Sequence, residues 1–63
     1  MSVNMKFFEF KHLPEHLGKI SQPFHHMAHN INDSVPDGAE KSAGLRKLLE
    51  AKDCIVRAVL EDA

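Results

Sequence analysis

A chain of 63 residues is short for a self-standing domain: a lone domain of about this size buries only roughly 60% of its unfolded surface. Ordering entropy of roughly 1.5 kcal/mol per residue then comes close to cancelling what so small a core returns. The composition is 43% hydrophobic and 27% charged with a net charge of −1, which is globular and lacks the basic excess of a DNA or RNA binder. The single cysteine, Cys54, excludes an intrachain disulfide framework. No apolar run approaches the ~20 residues of a membrane span, and no signal-peptide pattern opens the chain. Two routes to stability are left, a bound metal or assembly with copies of the same chain.

The first element expected is a short helix or arm over 3–11, where Phe7, Phe8 and Phe10 stand between Lys6 and Lys11. From Leu13 the apolar residues fall at 13, 17, 20, 24, 27/28, 31 and 35, a helical period and not the alternation of a strand. Pro14 suits the start of a helix, where its missing N–H has no partner to lose. Pro23 removes the bond to the Lys19 carbonyl and should bend the rod, so the spacing predicts one helix over 14–34, kinked at Pro23.

Val35-Pro36-Asp37-Gly38 reads as a turn, with Asp37 and Glu40 spaced as a capping box for the next helix. Leu45, Leu48, Leu49, Ile55, Val56, Val59 and Leu60 keep helical period and predict a helix over 38–61. The expected fold is all-α: a single domain over 1–63, a short N-terminal helix followed by an antiparallel two-helix hairpin. On a helical wheel the second helix carries an apolar arc, with Gly44, Ala51 and Ala58 along its flank, broader than one partner helix covers. That excess, with the short length, predicts a helical homo-oligomer.

Five histidines need an explanation. His12/His16 and His25/His29 both have the i, i+4 spacing that lets two imidazoles share a metal, but their centres lie roughly 140° apart on the wheel. They cannot form one four-ligand site within a chain, so they read as surface polar residues, and no metal or cofactor is expected. Arg46→Glu50 and Asp53→Arg57 suggest a solvated ion-pair ladder. Lys52 falls inside the apolar arc, where it snorkels, pairs with a buried carboxylate, or faces an anionic ligand at a subunit seam. The phenylalanines either cap the core, as expected for two of the three, or stack on bases beside neighbouring cations. Ser21, Ser34 and Ser42 have no recognisable triad partners, so no catalytic residues and no enzyme are expected.

Phe10-x-x-Leu13-Pro14-Glu15, Ser21-x-Pro23-Phe24-x-x-Met27-Ala28, Val35-Pro36 and Leu45-Arg46-x-Leu48-x-x-Ala51-Lys52-Asp53-x-x-Val56-Arg57-Ala58 form a pattern covering residues 8–60. It resembles the helical-hairpin domain of the phage anti-CBASS and anti-Thoeris nucleotide sponges. The resemblance implies a hexamer in the host bacterial cytoplasm that sequesters cyclic dinucleotides, such as 3′,3′-cyclic GMP-AMP, or cyclic trinucleotides without cleaving them. Cyclic ADP-ribose isomers are the alternative ligands it implies, and a helical protein-interaction adaptor without nucleotide binding is the alternative outside it. Phe8, with Phe7 second, matches the family's stacking aromatic, and Lys19-x-Ser21 its phosphate contact. Arg46 or Arg57 matches an arginine of a second pocket. The family's stacking residue is often tyrosine; this chain has none, and phenylalanine stacks without a hydroxyl to donate.

Overall fold

The computed structural model describes residues 4–61; residues 1–3 and 62–63, the ends of the expected single domain, and residue 3 of the expected arm lie outside the described residues. A 3-10 turn, Met5–Phe8, precedes two α-helices, α1 (Glu15–Ser34) and α2 (Ala39–Glu61), which pack against each other as a hairpin. Among the described residues there is no strand, and no helix is long and apolar enough to cross a membrane.

The arm is irregular for a local reason. Asn4 accepts the Lys6 N–H on its side-chain oxygen at 3.0 Å and starts the turn, and Glu9 then leaves it in an extended conformation. A second turn closes with Leu13 N–H on the Phe10 carbonyl at 3.1 Å. Pro14 stands just before α1, and its carbonyl accepts from Leu17 and Gly18. α1 runs without interruption through Pro23.

The helices are joined by 35–38. Val35 N–H closes the last turn of α1 on Ile31 O, and Ser42 N–H opens α2 on Gly38 O. Asp37 does not use its carboxylate as the capping box would have it: the Lys41 ammonium takes it at 2.9 Å and also donates to the Asn32 carbonyl at 2.8 Å. One buried lysine thus satisfies a carbonyl at the end of α1, where a cation suits the helix dipole.

The core centres on Phe8, Ala28 and Leu45, one from each segment, with Met5, Phe24, Ile31, Leu48 and Leu49 half-buried around it. Ala28 is the small residue that lets α2 approach. The arm lies close over Gly18, where a Cβ would stand 3.4 Å from the Phe10 carbonyl oxygen. α1 covers only part of the α2 arc. Ile55 is 45% exposed and Leu60 52%; Ala51 and Ala58 lie exposed one turn either side of Ile55, and Gly44 is exposed three turns before it.

Candidate functional site

The arm crosses the first turns of α1 and builds a corner there. Phe10, half-buried against Gly18, lines one open hollow of about 240 Å³ together with Lys11 of the arm, Lys19 of α1, Gln22 and Glu15. Phe10 and Lys11 also line an adjoining hollow of about 200 Å³ with Glu9 and His25. An aromatic ring and cations at one hollow are the side-chain types that take a base and its phosphate. Lys19 meets Glu15 at 3.6 Å with both side chains well exposed, a contact worth little in water and easily exchanged for an anion. Each hollow is smaller than the roughly 300–1,000 Å³ of typical ligand pockets, so a larger ligand needs a second wall. A wider hollow of about 620 Å³ opens at the helix turn, but its lysine, Lys41, is already held by Asp37 and Asn32.

The residues expected at the site do not all meet here. Phe8 is 1% exposed in the core and presents no open ring face, whereas Phe7, at 59%, does. Phe8 therefore offers no face for the stacking expected first of it, because it fills the core between Ala28 and Leu45; the arm's other rings are Phe7, exposed, and Phe10, half-buried. Lys19 and Ser21 are two residues apart on a helix and so point nearly opposite ways; Lys19 is exposed and Ser21 buried. Lys52 is the buried-stem lysine of the arc, 14% exposed, and pairs with Asp53 at 2.8 Å, a half-exposed carboxylate. Arg57 donates to Cys54 Sγ at 3.4 Å. Among the described residues the ion pairs join 15 to 19, 37 to 41 and 52 to 53, so the Arg46–Glu50 and Asp53–Arg57 ladder does not form. Arg46 and Arg57 are exposed and line neither hollow.

Sequence reasoning missed His25, read as a surface residue. It is half-buried: its Nδ1 meets the Phe8 carbonyl at 3.1 Å and its ring stands edge-on to Phe10 at 5.0 Å. Only the arm's docking makes this visible, because on α1 alone His25 lies at the edge of the apolar stripe. His12 lies before α1, so the His12/His16 spacing is not a helical pair.

Ser21 carries a testable oddity. Its Oγ is buried and has no hydrogen-bond partner among the described residues. Seven residues from the Ala28–Leu45 level on each helix, Ser21 and Lys52 stand at the same height in the hairpin. An unpaired buried hydroxyl costs about 1–3 kcal/mol. Ser21→Ala is therefore expected to raise stability by about 1 kcal/mol in urea denaturation. A loss of stability would show that the hydroxyl finds a partner in the assembled protein.

No family model matches the chain, and neither a curated protein nor a solved structure matches it.

Proposed function

We propose that the protein is a non-enzymatic sponge that binds and holds cyclic oligonucleotide second messengers, cyclic dinucleotides first and cyclic trinucleotides second. On this reading it acts in the cytoplasm of a phage-infected bacterium and blocks CBASS signalling. The observation that carries the reading is the hollow that Phe10, Lys11 and Lys19 line together, with the sequence pattern of residues 8–60. A cyclic dinucleotide offers two π faces and two phosphates, and one such corner addresses one end of it. The two small hollows and the uncovered flank of α2 support a homo-oligomer, a hexamer by the family pattern, in which a second copy supplies the other wall. The bend that Pro23 imposes on α1 would set the angle between those copies.

The test is to incubate the intact protein with a panel of cyclic dinucleotides, cyclic trinucleotides and cyclic ADP-ribose isomers, filter, and release the bound fraction by heat. Recovery of unchanged ligand supports a sponge. Recovery of a cyclic ADP-ribose isomer alone would move the reading to Thoeris, and a stable oligomer that retains none would leave the adaptor.

Lys19→Ala is expected to weaken cyclic-dinucleotide binding at least tenfold, with charge-assisted phosphate contacts being worth about 1.5–3 kcal/mol. The exposed Lys19 side chain makes no core contact, so sedimentation should be unchanged. Unaltered calorimetric affinity in this variant would place the phosphate elsewhere.

A further inference from the structure

We propose that His25 and His29 form a two-imidazole site for a divalent late transition-metal ion on the arm-facing edge of α1. Three observations lead there. The two residues are one helical turn apart, with ring centroids 4.4 Å from each other and planes tilted by 55°, the separation at which two imidazoles can turn toward one ion. A carbonyl oxygen can only accept, so the 3.1 Å contact to Phe8 O puts the His25 proton on Nδ1. In the neutral ring that leaves Nε2 as a lone pair. An imidazole whose far N–H is anchored on a backbone carbonyl is the usual arrangement behind a metal-ligating histidine, and it fixes both tautomer and ring orientation. Phe10 packs against the same ring in a T-shaped contact at 5.0 Å.

The neighbours are consistent with a site of modest affinity. His26 is T-shaped to His25 at 5.5 Å, but its Nε2 is engaged with Gln22 at 3.3 Å. Glu9 lines the hollow with His25 and offsets the charge of Lys11 there. Among the described residues no three His, Cys, Asp or Glu side chains gather at metal-binding spacing, so the remaining coordination positions belong to water. Imidazole ligands select Ni²⁺, Cu²⁺ and Zn²⁺ over Mg²⁺ and Ca²⁺.

The test is equilibrium dialysis of the full chain against NiCl₂ in a Cys54→Ser background, which removes the exposed thiol as a competing ligand. One saturable Ni²⁺ per chain is expected, weakened at least tenfold by His29→Gln and by His25→Gln and unchanged by His12→Gln/His16→Gln. His25→Gln also removes the bond to Phe8, so His29→Gln decides: undiminished binding in that variant overturns the site, as does the absence of saturable uptake. Long-range ¹H–¹⁵N spectra of the metal-free protein give a second readout. His25 should carry its proton on Nδ1, and a proton on Nε2 would remove the basis of the proposal. Neither measurement involves nucleotide, so the site stands or falls separately from the sponge reading.

Discussion

Phe8→Ala is expected to unfold the protein. Truncating a buried phenylalanine costs about 3–5 kcal/mol, and a chain of this size has about 3–9 kcal/mol in total at 0.05–0.15 kcal/mol per residue. Phe8 is the largest side chain sealed in the core, and the arm is held to the hairpin through it. Its neighbour behaves oppositely: Phe7→Ala removes an exposed ring and should change stability by less than about 0.5 kcal/mol. Circular dichroism with urea denaturation separates the two. If Phe8→Ala keeps the wild-type urea midpoint, the core is not organised around that ring. The same pair serves the functional reading, because loss of ligand binding in Phe7→Ala with the fold intact reports stacking, whereas loss in Phe8→Ala reports only unfolding.

Ile55→Asp is expected to dissociate the assembly. Ile55 is 45% exposed on α2, one turn from the exposed Ala51 and Ala58, and is not a member of the buried core. In a single chain an aspartate there would be solvated and nearly neutral in effect. Buried between copies, an unpaired charge costs about 3–5 kcal/mol, more than 100-fold in association. Sedimentation velocity reads the outcome: wild type is expected to sediment as an oligomer and the variant as a smaller species. A wild-type chain that stays a folded monomer would end the assembly reading, and a variant that sediments like wild type would place the seam on another face.

The two helices were legible because their limits are written in residues with strong local preferences. Pro14 precedes α1, Val35-Pro36-Asp37-Gly38 separates the helices, and the apolar period on each side is unbroken; α1 and α2 begin within one residue of the expected limits. The arm was not legible to the same depth. Phe7, Phe8 and Phe10 occupy too short a segment for any period to say which ring turns inward, and that is decided by Ala28 and Leu45 far along the chain. The arm's docking in turn redefines the buried face of α1, adding Gly18 and Ser21 where an apolar pattern alone would place Met27, which is exposed. His25 and Lys41 follow the same logic. Each is polar and reads as surface, yet each is spent on a backbone carbonyl of another segment, a contact with no sequence signature. The corner of Phe10, Lys11 and Lys19 was visible only as separate hints, since its geometry depends on the turn over 11–13.

The lysine clip at the helix turn has a mechanical corollary. Lys41 ties α1 to α2 at one end of the hairpin, and the opposite end lies roughly 30 Å away along helices of 20 and 23 residues. A pivot fixed at one end makes the pair a caliper: over that arm a swing of about 10° opens the tips by about 5 Å. Small angular choices at the turn thus become large spacings at Leu60 and at the first turn of α1.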